Sequence, residues 1–439
     1  MRRVVSIQPG EGRLVAWAWL YLFAVFSAYY VIRPIRDEAG VAGGVANLPW
    51  LFTGTLVAML AVNPPFAALV ARLPRSRFIG IIYHFFILNL LIFLLLFKAT
   101  SGGANVWVGR AFFIWTSVFN LFVVSVFWAF MVDLFTSEQG KRLFGFIAAA
   151  ATVGGMIGAS LTASLVHALG VPSLLLVSAV LLEVGVFAAG RLGGLTSAFQ
   201  TPAPRPDRGE AESQPRANGR DASQTPIGGG VLAGLTHVLR SPYLLNICLY
   251  MLLYTILSTF LYFQQVAIVD RSFATRAART VFFARVDLLV NVLTLGGQFF
   301  LTGAVIKRIG IALTLAFVPA LTAVGFLLLG IMPTAAMVIG FTVLRRASNF
   351  AFARPARETL FTVLTREDKY KAKNFIDTVV YRLGDQVGAW FGVGAGVLAV
   401  PVAVVWVANA LWLGRRQDVL SAAPEPMVIG AAASEPVPG

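Results

Sequence analysis

The sequence has few of the residues from which catalytic and metal sites are built. It contains one cysteine, Cys248, which excludes an internal disulfide, and three scattered histidines, which form no Cys/His cluster with metal-ligand spacing. The G-x-x-x-x-G-K-[ST] loop that cradles nucleotide phosphates is absent, as is the G-x-S-x-G elbow of hydrolases. We therefore expect no catalytic residue, no metal site and no cofactor, and we do not expect an enzyme.

Charge is also scarce in this chain. Only 13% of the residues are charged and 58% are hydrophobic, with a mean hydropathy of +0.78. This composition predicts a polytopic protein that has the lipid bilayer as its partner. The formal net charge of +15 would suit nucleic-acid binding. Membrane proteins, however, concentrate Lys and Arg in short cytoplasmic loops, so we expect no nucleic-acid partner.

Apolar segments long enough to cross a bilayer, about 20 residues each, recur twelve times. They begin near residues 14, 48, 78, 106, 143, 171, 243, 280, 309, 334, 374 and 397. Residues 192–230 are rich in Pro, Gly, Ser and charge, which predicts a flexible linker. The chain is therefore predicted to be an all-α membrane protein. Its parts are a six-helix bundle at 1–191, the linker, a second six-helix bundle at 231–418 and a disordered tail at 419–439.

The charged loops between the spans indicate orientation and symmetry. Basic residues cluster on the side of the linker, which places the linker and both termini in the cytoplasm and the protein in the cell (inner) membrane. The loop Thr136–Ile147 resembles the segment Thr365–Ile376, 229 residues later. An even number of predicted spans separates them, so we expect two pseudo-symmetric halves in parallel orientation.

Polar residues at membrane depth are candidates for function, because each charge there costs about 2.5 to 3.5 kcal/mol on insertion scales. In the eighth span Asp287, Asn291, Thr294 and Gln298 follow the spacing i, i+4, i+7, i+11 and share one helix face. This stripe predicts the wall of a polar cavity. The alternative is a polar seam between packed helices.

Arginines at membrane depth suggest what such a cavity binds. Arg346, Asn349 and Arg357 share a face of the tenth span, and Arg33 and Arg36 share a face of the first. Arginine pairs hold anions through bidentate hydrogen bonds. Arg357 could instead mark a cytoplasmic helix end, and the first pair could be an interfacial anchor. Deep arginines outnumber acids, which favours an anionic small molecule as substrate.

Further candidates are less specific. Four more residues are predicted to contact substrate: Asn120, Trp128, Tyr254 and Arg382. Three carboxylates are predicted to be able to carry a coupling proton: Asp287, Asp377 and Asp385. Aromatic residues at helical spacing also occur in ordinary packing. Arg382 and Asp385 are separated by i, i+3, so a structural salt bridge is the alternative for them.

Four short motifs occur in order along most of the chain. They are Arg33-Pro-Ile-Arg36-Asp37, Phe127-Trp128-Ala129-Phe130, Phe352-Ala-Arg-Pro355-Ala-Arg357-Glu358 and Arg382-Leu383-Gly384. These are similar to the L-R-D-T-K-D, F-W-x-F, F-D-P-T-K-E and R-L-G-K motifs of the ATP/ADP translocases of plastids and intracellular bacteria. The chain thus resembles that family.

This resemblance implies a fold and an activity. The family exchanges nucleotides, typically ATP for ADP plus phosphate, on a twelve-helix fold similar to that of the major facilitators. By resemblance, Arg36 and Arg357 stand where the family has lysines, so the charge is kept. Ser117 and the region of Phe263 stand where the family has intramembrane glutamates, and Asp385 replaces a lysine.

Together these observations predict a secondary transporter that works by alternating access, with its site between two halves of a major-facilitator-like fold. The expected substrate is a nucleotide or another phosphorylated or organic anion, with ATP/ADP exchange as the form that the resemblance implies. One alternative is a proton-coupled transporter of an unrelated small solute. Another is a membrane-embedded lipid-handling enzyme or scramblase that uses the same basic cavity.

Overall fold

A computed structural model describes residues 8, 11–72, 75–199, 238, 241–364, 372–373, 375–391 and 396–422, and the regular structure in these ranges is helical. The helices of the first half are α1 Gly12–Ala42, α2 Leu48–Arg72, α3 Arg75–Ala99, α4 Gly102–Leu134, α5 Ser137–Leu169 and α6 Leu174–Phe199. Those of the second half are α7 Pro242–Ser272, α8 Arg276–Phe300, α9 Thr302–Ile331, α10 (α-helical Ala335–Ser348, π-helical Asn349–Ala353 and α-helical Arg354–Thr359), α11 (π-helical Ile376–Val380 and α-helical Tyr381–Phe391) and α12 Gly396–Ala422.

The twelve helices confirm the predicted all-α membrane fold of two six-helix bundles. Within the described ranges, ten of them are long and apolar enough by themselves to cross a bilayer. The other two, α10 and α11, contain π-helical segments and several charged residues. Each helix begins within about two turns of the predicted start of its span. The start of the ninth span near residue 309 coincides with a kink at Gly310, where φ is 76°.

Two predicted boundaries are shifted in the structure. Helix α6 continues to Phe199, so the first eight residues of the predicted linker are helical. The side chain of Leu192 is fully buried, which explains why the helix does not stop there. Helix α12 likewise continues to Ala422, beyond the predicted start of the tail at residue 419. The rest of the linker, 200–230, and of the tail, 423–439, lies outside the described residues.

The loop before α5 is held by polar contacts to α1. Thr136 and Gln139 form a reciprocal capping box that starts the helix. Arg142 donates two hydrogen bonds, of 2.7 and 2.9 Å, to the carboxylate of Glu11. Mainly through these bonds and that from the backbone N–H of Gln8, the pKa of Glu11 is lowered to about 2. The stabilisation of the folded protein by the Glu11 carboxylate is therefore complete above its usual pKa of 4.5 and is lost as the pH falls through about 2. Most of the similar segment Thr365–Ile376 lies outside the described residues.

Helices α1 and α5 approach each other closely along a stripe of glycines. Gly154 and Gly158 are separated by four positions, a spacing that lets two helix backbones meet. A Cβ atom on Gly158 would lie 2.3 Å from the backbone oxygen of Ser27, and one on Gly154 would lie 2.5 Å from that of Phe23. Neither distance is sterically possible, so any side chain at these positions would separate the two helices.

Replacing Gly158 by alanine is expected to destabilise the protein by about 1 to 3 kcal/mol, because the added methyl group meets backbone rather than a movable side chain. The matched control is Gly190→Ala on α6, where an added Cβ has no atom within 4 Å. The control should be neutral or slightly stabilising, since alanine is the better helix former. Thermal unfolding of the purified variants measures both effects, and equal midpoints would contradict the close approach.

Buried apolar side chains form two clusters. One is built mainly from α1 to α6 and the other mainly from α7 to α12. Four residues of the first half, Val41, Leu48, Leu51 and Phe113, belong to the cluster of the second half. Val41, Leu48 and Leu51 lie where α1 ends and α2 begins, and Phe113 of α4 lies beside Phe52 of α2. The two halves are therefore packed together at this end of the molecule.

Candidate binding cavity between the two halves

A central cavity of about 1200 Å³ lies between the two halves. Its walls are formed by α1, α2, α4 and α5 from the first half and by α7, α8, α10 and α11 from the second. Its polar lining includes six arginines and four carboxylates: Arg33, Arg36, Arg345, Arg346, Arg354, Arg382, Asp37, Asp287, Glu358 and Asp385. The lining thus has an excess of two positive charges, which attracts anions into a site with low-dielectric walls.

At the centre of the cavity, one carboxylate joins arginines from the two halves. Arg33 of α1 and Arg346 of α10 each donate from Nη1 to Oδ1 of Asp287, at 2.6 and 2.8 Å. Asp287 is only 2% exposed. Its second oxygen, Oδ2, is buried and accepts no hydrogen bond from the described residues. Two positive charges therefore share one negative charge, and one carboxylate oxygen is left unsatisfied.

A third arginine in the cavity wall has no acidic partner. Arg345 is 3% exposed, and its guanidinium donates to Thr322 Oγ1 at 3.0 Å and to Ser258 Oγ at 2.9 Å. It also lies over the ring of Tyr254, 5.3 Å from the centroid. In the described part of the chain no carboxylate forms an ion pair with it. Since a buried guanidinium without a counter-charge is costly, Arg345 adds to the attraction for an anion.

A second group of charges lies towards the end of the cavity where the halves are packed. Arg36 is paired with Asp37 at 3.0 Å and lies over the ring of Phe113, 3.9 Å from its centroid. Tyr262 donates to the same carboxylate of Asp37 at 3.2 Å. The predicted alternative for Arg382 and Asp385 is also observed, because these residues form a salt bridge at 3.3 Å. Both pairs nevertheless line the cavity.

Most of the predicted site residues are brought together in this cavity. They are Arg33, Arg36, Asn120, Trp128, Tyr254, Asp287, Asn291, Gln298, Arg346, Arg382 and Asp385. The stripe on α8 is on one face as its spacing predicted, and Asn291 donates to the backbone oxygen of Asp287 at 2.8 Å. Gln298 also has a structural contact, because its Nε2 donates to the backbone oxygen of Phe350.

Three predicted residues do not line the cavity: Asn349, Arg357 and Asp377. Asn349 donates to the hydroxyl of Tyr254 at 3.0 Å. Arg357 is buried and forms an ion pair with Asp377 at 3.2 Å. The same arginine also contacts Glu358 at 3.4 Å.

A π-helical segment explains why Arg357 points elsewhere. The predicted shared face assumed a regular α-helix through residues 346 to 357, but Asn349–Ala353 form a π-helix. One additional residue in a turn rotates all later side chains by about 100°. The cavity wall consequently receives Arg354 and Glu358 in place of Arg357.

The π-helical segment has a cause in the sequence. Pro355 has no N–H, so it leaves the carbonyl group of Ala351, four residues earlier, without a helical donor. Thr302 supplies the missing hydrogen bond, with Oγ1 2.7 Å from the oxygen of Ala351. Side chains of α8 and α9 therefore support the distorted segment of α10. Proline was the available signal for this distortion.

Other cavity residues were not identified from the sequence. Tyr262 and Thr342 both line the cavity. Tyr262 lies four residues after Ser258 on α7, and Thr342 lies four residues before Arg346 on α10. Extending the face of Arg346 by one turn would have found Thr342, and following α7 for two turns from the predicted Tyr254 would have found Tyr262.

The cavity is closed at one end by contacts between the halves. Arg276 of α8 binds both carboxylate oxygens of the fully buried Glu38 of α1, with distances of 2.9 to 3.1 Å. The same guanidinium donates to Asn105 Oδ1 at 2.7 Å. The rings of Trp50 and Trp390 are in edge contact, with centroids 4.9 Å apart.

At the other end, the lining extends to the ends of helices. Gly145 lies in the third turn of α5, Gln298 near the end of α8, and Glu358 near the end of α10. The cavity therefore opens on the side of the loop between α4 and α5, and its opposite end is closed.

Replacing Arg276 by glutamine is expected to destabilise this closed end by about 2 to 3 kcal/mol, because it leaves the carboxylate of Glu38 buried without a cation. The matched control is Arg271→Gln at the end of α7, because Arg271 is exposed and forms no ion pair within the described part of the chain, so its loss should matter little. Thermal unfolding measures both variants. The double variant Glu38→Gln/Arg276→Gln should recover part of the loss, and additive single effects would contradict the pairing.

Among the described residues, twelve helices in two bundles surround an arginine-rich cavity that is closed at one end and open at the other, and this arrangement is that of a membrane transporter. The sequence matches the Major Facilitator Superfamily over residues 14–389. The chain belongs to this superfamily, and it is a secondary transporter rather than an enzyme.

The fold is also found in solved transporter structures. One is a bacterial homologue of the human lysosomal transporter Spinster, in an inward-facing conformation. It has 12% sequence identity and a TM-score of 0.54, and the match covers 94% of this chain and 95% of that chain. Another is the nucleoside transporter NupG, with 13% identity and a TM-score of 0.54, covering 93% and 99%. At such identities the similarity establishes the fold alone. No curated protein matches the sequence.

Proposed function

We propose that this protein transports an anionic small molecule by alternating access of the central cavity. The observation that carries the proposal is the bridge Arg33–Asp287–Arg346, which joins the two halves through a single carboxylate. A substrate phosphate or carboxylate offers the same chemistry as the Asp287 side chain and binds between the same two guanidinium groups. Binding of substrate is thereby linked to the contact between the halves.

The charge of the cavity supports an anion over a cation or a neutral solute. Six arginines face four carboxylates in the lining, and Arg345 has no acidic partner among the described residues. The chain resembles the ATP/ADP translocases, but Ser117 in the cavity wall and the region of the buried Phe263 stand where that family has glutamates. Their loss leaves the cavity positive, which favours a doubly charged substrate.

Nucleotides and other phosphorylated compounds are the substrates that we propose first. Aromatic residues in the lining, among them Trp128 and Tyr254, supply flat surfaces on which a base can stack. The similar structure of NupG belongs to a nucleoside transporter. Arg36 keeps the charge of the lysine in the resembling motif, and it lies in the cavity. Arg357 and Asn349, which were also predicted to bind the substrate, would then affect it only through other residues, because neither lines the cavity.

We further propose that the open end of the cavity faces the cytoplasm. The loop between α4 and α5 and the segment between α10 and α11 carry many of the basic residues that the positive-inside rule places there. With twelve spans, both termini and the predicted linker lie on that same side. The protein would then reside in the cell (inner) membrane, with α1 to α6 and α7 to α12 as its two bundles.

Reconstituted protein tests the proposed substrate class. Proteoliposomes are loaded with ADP, with inorganic phosphate or with a dicarboxylate, and each is offered labelled ATP, labelled phosphate and the labelled dicarboxylate in turn. Uptake of any of these anions above that of protein-free liposomes supports the proposal.

The same assay separates the versions of the proposal. Uptake of another anion without ATP uptake would reject nucleotide exchange and retain anion transport. Uptake of a neutral solute or a cation, with none of the anions transported, would reject the anionic substrate. Protein with Arg308→Gln serves as the control for the loss of an arginine outside the cavity, because Arg308 is exposed there, and it should transport like the unmodified protein.

A further inference from the structure

A pair of ionisable residues lies on the outer surface of the first bundle. His84 Nε2 of α3 and Glu183 Oε2 of α6 are 3.5 Å apart, and their side chains are 57% and 56% exposed. His84 Nδ1 is 2.7 Å from the backbone oxygen of Gly80. Exposed apolar side chains, including Phe85 and Val180, surround the pair on these helices. This surface faces the lipid when the helices cross a bilayer.

The pair lies well inside the apolar spans of its two helices, away from the helix ends where lipid headgroups are expected. His84 lies nine residues after the start of α3, and Glu183 nine residues after the start of α6. At 1.5 Å per residue, each is about 14 Å from a helix end and close to the middle of its helix. Ionisable residues at this depth almost always face a protein interior or a water-filled cavity. We therefore expect a polar group carried on another membrane helix to cover them.

The chain itself exposes a group of opposite charge at the matching depth. Arg285 of α8 is exposed on the same face as Leu289 and Val292, opposite the cavity-lining Asp287. It forms no hydrogen bond or ion pair within the described part of the chain. It lies nine residues after the start of α8, as Glu183 does in α6. Both helices start at the closed end of the cavity, so the two charges lie at about the same level.

We infer that copies of this chain associate in the membrane through these two surfaces, with Glu183 of one copy paired with Arg285 of the next. The carboxylate of Glu183 contacts only His84 among the described residues, so it has acceptor capacity left for a guanidinium. The contact joins two different surfaces, the α3–α6 face and the α8 face. It is therefore heterologous, and it leaves the central cavity of each copy separate.

Cysteine cross-linking between two differently marked copies tests this contact. Cys248→Ala removes the only native cysteine. Phe187→Cys is introduced in one copy and Leu289→Cys in the other, since each lies four residues after the predicted contact residue and is exposed. The purified copies are mixed in liposomes, so that no other protein is present. We expect a disulfide-linked dimer in the mixture and none in either copy alone.

Charge variants connect the dimer to the proposed ion pair. Glu183→Gln in the Phe187→Cys copy should lower the cross-linking yield at least fivefold. Exchanging the charges, with Glu183→Arg in one copy and Arg285→Glu in the other, should restore the yield. The matched control is Val404→Cys on α12, an exposed position away from both surfaces, which should not cross-link with Phe187→Cys.

Three results would overturn the inference. One is a cross-linking yield of Phe187→Cys with Leu289→Cys no higher than that with the Val404→Cys control. The group that covers Glu183 would then belong to a different protein. Another is cross-linking of the Phe187→Cys copy with itself at the same yield, which would indicate an isologous contact. The third is an unchanged yield with Glu183→Gln. Restoration by the exchanged charges rules out misfolding as the cause of a lowered yield.

Discussion

Replacing Arg346 by glutamine is expected to lower transport about 100-fold while leaving the protein folded. The guanidinium of Arg346 supplies one of the two charge-assisted hydrogen bonds that converge on the centre of the cavity. A bond of this kind contributes about 1.5 to 3 kcal/mol, and the upper value corresponds to a factor of about 100 in binding. Asp287 keeps its 2.6 Å bond to Arg33 in this variant, so no carboxylate is left buried without a cation.

Substrate binding and initial uptake by the Arg346→Gln variant should therefore fall together. Arg346→Lys keeps the charge but loses the planar pair of donors, and we expect an intermediate loss. Arg308→Gln, exposed outside the cavity, should transport at the rate of the unmodified protein. Size-exclusion and thermal unfolding profiles establish that each variant is folded. Full uptake by Arg346→Gln would exclude this arginine from the binding site.

Ten of the twelve described helices could be predicted because crossing a bilayer imposes a length and an apolar composition that a single segment shows by itself. The ends of the helices depended on other interactions. The apolar run of the fifth span begins near residue 143, but the capping box at Thr136 starts α5 at Ser137. Helix α6 continues beyond residue 191, where the polar composition of the predicted linker begins, because Leu192 is buried.

The cavity residues could be predicted only where the helix is regular. The stripe of Asp287, Asn291 and Gln298 on α8 follows the ideal rotation of 100° per residue, and all three line the cavity. On α10 the same reasoning selected Arg357, and the π-helical segment before Pro355 turned that side chain away. Proline alone does not decide this, because the predicted face of Arg33 and Arg36 on α1 holds across Pro34, so it is the π-helical turn that breaks the periodicity on α10.

The pairing of Arg382 with Asp385, three residues apart, could be predicted, but the partners of charged residues that meet across the two halves could not. Arg33 and Asp287 are 254 residues apart, and Glu38 and Arg276 are 238 residues apart. Local spacing contains no information about contacts between the two halves. The sequence indicated that charges at membrane depth need partners, but the packing of α1 against α8 determines which charges meet.

Replacing Asp287 by asparagine is expected to separate binding from net transport. The variant leaves Arg33 and Arg346 without the carboxylate they share, so the cavity gains one positive charge and loses a group that competes with the substrate. We expect tighter substrate binding, by about 10-fold or 1.4 kcal/mol. We expect net uptake to fall at least about 50-fold, because after release no carboxylate re-forms the bridge between the halves.

Exchange of substrate across the membrane should survive in the same Asp287→Asn variant, within about threefold, because the substrate anion itself bridges the two arginines in each turnover. Binding titrations, net uptake into unloaded proteoliposomes and exchange in preloaded ones measure the three quantities. In Arg346→Gln we expect binding, net uptake and exchange all to fall. The two variants therefore distinguish a residue that binds the substrate, Arg346, from one that takes the place of the substrate between the arginines, Asp287. Weaker binding by Asp287→Asn would contradict competition between this carboxylate and the substrate, and equal losses of exchange and net uptake would contradict its role in the return step.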